Sequence, residues 1–110
     1  MSGASAVLPT GDLFALTAAL VDIPSVSRDE AALVALVETE LRSLEHLEVD
    51  RIGDNLVART DLGRDRRLVL AGHTDTVAPQ DNAGARIDGD WLYGVGATDM
   101  KGGIASLLEL

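Results

Sequence analysis

A histidine and an aspartate two residues apart, His73 and Asp75, are the first residues of this sequence that could do chemistry. In an extended segment their side chains point the same way, so Asp75 can accept a hydrogen bond from one imidazole nitrogen while the other binds a metal ion. The alternative is a loop histidine held by a nearby aspartate. Residues 68–71 are wholly apolar and predict a strand buried on both faces. Sites in open α/β sheets form at the carboxyl ends of such strands.

Asp99 is the second candidate, because it lies between glycines in the stretch GVGATDMKGG, just before an apolar segment with helical spacing. Glycines permit unusual backbone angles and close approach of the chain to a ligand. The alternative role is a helix cap, since a carboxylate is favoured at a helix N-terminus. Gly94 and Gly96 do not form a dinucleotide-binding fingerprint, because the third glycine is out of place and Asp99 would repel a pyrophosphate.

Together the two segments resemble the di-zinc aminoacylase, carboxypeptidase and desuccinylase family of metallohydrolases. The similar stretches are LVLAGHTDTV, DGDWLYGVGATDMKGG, IPSVSRDE and DNLVAR. This resemblance implies that His73 binds one zinc ion, that Asp99 bridges two, and that the catalytic residue Asp75 orients His73. It also implies a cis peptide after Asp99. Two zinc ions per complete active site, or cobalt in their place, would activate water for attack on a linear amide bond.

The resemblance also implies that part of the site lies beyond Leu110, namely the glutamate that acts as general base, two carboxylate ligands and a last histidine. Catalytic zinc typically has three protein ligands. His73 and Asp99 are therefore about half of a metal site, and we expect the 110-residue chain to be inactive on its own.

The connection between Val77 and Trp91 is short, and in this it resembles succinyl-diaminopimelate desuccinylases of the actinobacterial type. That resemblance implies removal of succinate from N-succinyl-LL-2,6-diaminopimelate in diaminopimelate and lysine biosynthesis. The alternatives are an acetylornithine deacetylase, a related aminoacylase or carboxypeptidase, and a non-catalytic fragment. The expected partner is a small-molecule N-acyl amino acid, and a homodimer is one expected state of the full-length protein.

The spacing of apolar residues predicts the elements that position these side chains. A capping box of Ser27 and Glu30 is expected to start the second helix. Lys101 either neutralises nearby carboxylates or lies at the surface. The predicted helices are 13–23, a second one that follows the capping box and runs through Leu33 to about Ser43, and 104–110. The predicted strands are a hairpin of 47–52 and 55–59 with its turn at Gly53 and Asp54, and strands over 68–71 and 90–93.

This order predicts an α/β fold: the N-terminal part of a zinc-peptidase-like catalytic domain, with a mixed sheet flanked by helices, truncated inside its last helix. Residues 1–9 are expected to be a flexible arm and residues 10–110 the incomplete domain. A net charge of −9 argues against a nucleic-acid partner. The absence of cysteine excludes thiolate ligands and cysteine nucleophiles. No apolar stretch is long enough for a membrane span and no signal peptide is evident, so a cytoplasmic location is expected.

Overall fold

The structure is a computed structural model that describes residues 8–110. Residues 1–7 of the expected arm lie outside the described residues, and Leu8 packs in the core. Within the described range, the elements are α1 (Leu13–Val21), α2 (Ala31–Arg42), β1 (Glu48–Ile52), β2 (Asn55–Arg59), β3 (Arg86–Asp88), β4 (Trp91–Tyr93) and α3 (Gly102–Glu109), with an irregular helical turn at Ala97–Lys101 immediately before α3.

Helix α1 begins at Leu13, as its sequence predicts, and ends at Val21, two residues before the predicted limit. The Asp12 side chain accepts a hydrogen bond from the Ala15 amide at 3.1 Å, which caps the first turn. Leu16 and Leu20 are fully buried, and each such side chain contributes about 1.5–3 kcal/mol through removal from water. Helix α1 packs against α3 and against the Ala97–Lys101 turn. The core thus lies directly beneath the turn that carries Asp99.

The capping box predicted for α2 is wrong. Helix α2 begins after Glu30, and no side chain caps its first turn. Ser27 is held elsewhere, because its amide donates to the Thr76 carbonyl at 3.0 Å and its hydroxyl donates to the Asp75 carboxylate. The backbone pairing places Ser27 beside the segment that contains Asp75 and takes its hydroxyl out of reach of the helix.

The predicted hairpin is confirmed: β1 and β2 pair antiparallel, from Glu48 opposite Arg59 to Ile52 opposite Asn55. A second antiparallel hairpin joins β3 and β4. Strand β3 has only three residues, too few to give a periodic signal, and the sequence did not predict it. None of the helices within residues 8–110 has the length and apolar character of a membrane span.

The strand predicted at 68–71 is not present in the described part of the chain. Leu68, Val69 and Leu70 are 84%, 74% and 53% exposed. A strand that is apolar on both faces needs neighbours on both edges and cover on both faces, and no segment within residues 8–110 pairs with it. The mixed sheet is likewise absent there, since the described sheets are the two hairpins and the described parallel pairing is a single bridge between Val26 and Thr76.

Candidate metal centre

The structure brings the three predicted site residues together around the His73 ring. Its Nε2 lies 2.9 Å from Asp99 Oδ1, and its Nδ1 lies 3.1 Å from Asp75 Oδ1. The Asp75 carbonyl oxygen is also 3.1 Å from Nδ1. All three side chains are open to solvent, Asp99 the most. The imidazole therefore lies between two carboxylates, with one nitrogen facing each.

The segment that carries His73 and Asp75 is held by backbone pairing with the loop after α1. The Thr76 amide donates to the Ser25 carbonyl at 2.9 Å, and the Ser27 amide donates to the Thr76 carbonyl at 3.0 Å. The buried Ser25 hydroxyl also donates to the Thr74 carbonyl at 2.7 Å. These bonds fix the backbone on both sides of Asp75 without the strand that was predicted to precede it.

Asp75 has a different partner for each carboxylate oxygen. Oδ1 faces His73, and Oδ2 accepts the hydrogen bond from the Ser27 hydroxyl. The Ser27 bond is the main reason why the pKa of Asp75 lies below its ordinary value, and the charge of His73 adds to the effect. Asp75 is thus held as a carboxylate whose orientation two groups define.

Asp99 lies in the Ala97–Lys101 turn, where close backbone contact requires glycine. Gly96 has φ +79°, and a Cβ at this position would lie 2.4 Å from Thr76 Cγ2. The turn therefore packs directly on the segment that carries the histidine, and a larger residue at 96 would force the two apart. The peptide between Asp99 and Met100 is cis, as the family resemblance implies.

Lys101 anchors this turn to α1. It is 1% exposed, and its Nζ donates to the Leu20 carbonyl at 2.8 Å and to the Ile23 carbonyl at 2.7 Å. The surface position considered for Lys101 from the sequence is therefore wrong, whereas the charge of Asp22 does act on the ammonium. The ammonium also supplies donors to carbonyls at the end of α1, which has no basic residue in its own last turn. Burial lowers the pKa of Lys101.

The electrostatics of the site favour a cation between His73 and Asp99. The pKa of His73 is raised, chiefly by the interaction of Nε2 with Asp99, because the neighbouring carboxylates stabilise the charged ring. A metal ion binds only the deprotonated nitrogen, so a metal ion at this place would replace a proton. A cleft of about 380 Å³ lies beside these side chains and is lined in part by Gly94, Val95 and Thr98.

His73 and Asp99 fit zinc as two ligands of a larger set. Imidazole nitrogen and carboxylate oxygen are both zinc donors, and two donors of a tetrahedral zinc ion lie about 3.3 Å apart for bonds of about 2.0–2.1 Å. The 2.9 Å between Nε2 and Oδ1 is close to that spacing. Within residues 8–110 no group of three or more histidine, cysteine, aspartate or glutamate side chains could hold a metal ion. Any further donors would come from outside this range.

Sequence reasoning missed two residues of the site, Ser27 and Lys101. The partner of Ser27 is 48 residues away, and the local pattern of Ser27 with Glu30 pointed to a helix cap instead. A signal for Lys101 did exist. Helix α1 ends without a basic residue or a glycine cap, so its last carbonyls needed donors from elsewhere in the chain.

Comparison with known proteins agrees with this geometry at the level of the protein class. Residues 69–110, which include His73, Asp75 and Asp99, match the profile of Peptidase family M20/M25/M40. The resemblance to this metallohydrolase family that the two motifs predicted is therefore confirmed.

Individual relatives extend the similarity over most of the chain. The chain is 48% identical over 101 residues to the DapE protein of Mycobacterium tuberculosis, a match that covers 91% of this chain and 28% of that protein. It is 44% identical over 101 residues to succinyl-diaminopimelate desuccinylase of Corynebacterium glutamicum, with 90% and 27% covered. It is 40% identical over 106 residues to succinyl-diaminopimelate desuccinylase of Dinoroseobacter shibae, with 86% and 28% covered. The chain thus spans little more than a quarter of the length of these relatives.

Proposed function

We propose that this chain is part of a metal-dependent hydrolase of linear amide bonds, and that the whole protein releases succinate from N-succinyl-LL-2,6-diaminopimelate. The observation that carries the proposal is the convergence of His73 Nε2 and Asp99 Oδ1 to 2.9 Å beside an open cleft. Relatives named succinyl-diaminopimelate desuccinylase, 40–44% identical to this chain, support the choice of substrate.

His73 and Asp99 would hold zinc in this proposal, together with donors outside residues 8–110. Bound zinc lowers the pKa of a water molecule and polarises the amide carbonyl. Asp75 keeps the His73 ring oriented with Nδ1 toward itself, which leaves Nε2 free to face Asp99. A carboxylate in this position also raises the basicity of the ligand nitrogen. Asp75 thus acts on the metal through His73 and not on the substrate.

The proton of the attacking water needs an acceptor that the described cleft does not supply. Asp75 and Asp99 are the carboxylates that line it, and no glutamate lines it within residues 8–110. Asp75 is occupied by His73 and Ser27, and Asp99 faces the metal position. We place the general base in the part of the protein outside this range, as the family resemblance implies.

We further propose that these residues belong to a zinc-peptidase-like catalytic domain whose mixed sheet is completed by chain outside residues 8–110. The exposed apolar side chains of Leu68, Val69 and Leu70 support this, because they form an edge and two faces suited to burial. The cytoplasmic location and the homodimer stay predictions.

The test measures succinate release by the full-length protein, with N-acetylornithine as the competing substrate. We expect zinc-dependent activity that a chelator removes, and a higher kcat/KM for the succinylated substrate. His73→Ala and Asp99→Ala should each lower kcat/KM by more than about 100-fold, and Asp75→Ala by about 10–100-fold. Glu45→Gln, which changes an exposed residue that lines neither cavity beside His73, is the control and should have no effect. No turnover with zinc present, or a higher kcat/KM for N-acetylornithine, would contradict the proposal.

A further inference from the structure

The Ser27 hydroxyl donates to the Asp75 carboxylate, and the proposed function assigns this hydroxyl no role of its own. We propose that Ser27 is a positioning residue of the metal centre. It holds the Asp75 carboxylate in the orientation that turns His73 Nε2 toward Asp99. The proposal rests on the proposed metal site and adds a fourth residue to it.

The first argument is that the two oxygens of the Asp75 carboxylate have different partners. Oδ1 lies 3.1 Å from His73 Nδ1, and Oδ2 accepts the Ser27 hydroxyl. The carboxylate is substantially exposed, so with His73 as its sole partner it could rotate and bond to water instead. Two partners, one on each oxygen, define the plane of the group. Ser27 therefore orders a side chain that burial does not order.

The second argument is that Ser27 itself has a fixed position. Its amide donates to the Thr76 carbonyl at 3.0 Å, while the Thr76 amide donates to the Ser25 carbonyl at 2.9 Å. Ser27 is thus paired with the residue next to Asp75. The hydroxyl and the carboxylate share one backbone frame, and their relative position does not depend on a flexible connection.

The third argument is that no other role accounts for the hydroxyl. Helix α2 begins at Ala31, and Ser27 makes no bond to its first turn. The side chain is exposed, so removal of the hydroxyl leaves no cavity in the core. We therefore expect its loss to act on the site and to leave the stability of the fold nearly unchanged.

The experiment measures zinc affinity of the full-length protein by competition with a chromophoric chelator, and the visible spectrum of the cobalt form. Ser27→Ala should weaken zinc binding by about 10-fold or more and alter the cobalt spectrum. Ser27→Thr, which keeps the hydroxyl, should restore both. Ser43→Ala is the matched control, because the Ser43 hydroxyl bonds to the Glu40 carbonyl of α2 at 2.6 Å, away from the site. It should leave zinc affinity unchanged.

A double-mutant cycle separates positioning from a general structural effect. If Ser27 acts through Asp75, Ser27→Ala should weaken zinc binding no further in a protein that already carries Asp75→Ala. Wild-type affinity in Ser27→Ala, failure of Ser27→Thr to restore it, or full additivity of the two changes would overturn the proposal. If zinc binding depends on Ser27 but the protein hydrolyses neither substrate, the positioning role stands and the proposed function fails.

Discussion

Residues 68–71 and residues 73–76 are neighbouring stretches, and their burial is the reverse of what their hydrophobicity predicts. The first is wholly apolar, yet its leucines and valine lie exposed. The second is polar, yet its backbone is bonded to the loop after α1, and Thr76 is buried. The contrast shows that backbone hydrogen-bonding partners, and not local hydrophobicity, determine which stretch has a fixed position.

The physical reason is that hydrophobicity measures what a segment gains from burial and does not supply the surface that buries it. The loop containing Ser25 and Ser27 supplies both backbone and hydroxyl partners to residues 74–76. Residues 68–71 meet no comparable partner within residues 8–110. The site is therefore ordered from the α1 side.

The largest change in the free energy of unfolding is expected from substitution of Lys101, which bonds to the end of α1. Lys101→Met keeps the apolar stem but leaves the Ile23 carbonyl without its donor and removes one donor from the Leu20 carbonyl, which keeps the Ile23 amide at 3.2 Å. Loss of the partner of a buried polar group costs about 1–3 kcal/mol. We expect the free energy of unfolding to fall by about 2–4 kcal/mol in urea titrations. Leu68→Ala, at an exposed position, should change it by less than about 0.5 kcal/mol. Equal losses of unfolding free energy for the two variants would show that residues 68–71 contribute as much to stability as the Lys101 contacts do.

Hydrogen exchange tests the two stretches directly in the 110-residue chain. The amides of Ser27 and Thr76 donate to carbonyls, whereas those of Val69 and Leu70 have no partner among the described residues. The first pair should exchange at least about 30-fold more slowly, which corresponds to about 2 kcal/mol of local stability. Similar rates for all four amides would show that the backbone pairing does not hold in solution. The same measurement on the full-length protein shows whether residues 68–71 gain partners there.

A matched pair of glycines tests the contact between residues 73–76 and the turn that carries Asp99. Gly63 and Gly96 both have positive φ, but an added Cβ meets Thr76 at 2.4 Å only at position 96. Gly63→Ala should cost about 1 kcal/mol for backbone strain alone. Gly96→Ala should cost about 1–2 kcal/mol more, because the turn must move away from Thr76. Equal costs in thermal or urea unfolding would place the turn away from that segment.

The smallest effect is expected at an ion pair remote from both stretches, between Glu38 of α2 and Arg51 of β1, 2.9 Å apart. Hydrogen bonds from Arg51 and Arg42 lower the pKa of Glu38. A lowered carboxyl pKa gives stability that is present above its ordinary value of 4.5 and is lost as the pH falls through the lowered value. Glu38→Gln should slightly lower Tm at pH 7. In acid, the Tm values of the variant and of the unsubstituted chain should be equal.

Glu45→Gln, which removes the same charge at an exposed position beyond α2, is the control for Glu38→Gln. It should leave Tm unchanged at pH 7. A difference between Glu38→Gln and the unsubstituted chain that persisted at pH 2 would rule out the ion pair as the cause.

Local patterns predicted the parts of this molecule that local forces determine. The helical spacing of apolar residues predicted α1, and the turn at Gly53 and Asp54 predicted the first hairpin. The spacing of His73 and Asp75 predicted two side chains that meet. In each case the interacting groups are a few residues apart, so the sequence pattern contains the contact.

The errors concern contacts between distant residues. Ser27 reaches Asp75 across 48 residues, and Lys101 reaches the end of α1 across about 80. The prediction for residues 68–71 failed for the related reason that burial depends on partners that a local pattern does not contain. Distant partners therefore decided every part of the site that sequence reasoning did not find.

The most direct test of the account is an anomalous-scattering map from crystals of the full-length protein grown with zinc. We expect a zinc peak about 2.0–2.2 Å from both His73 Nε2 and an Asp99 carboxylate oxygen, with Asp75 at Nδ1 of the same ring. A zinc ion bound by neither residue, or His73 ligating through Nδ1 with Asp75 turned away, would contradict it.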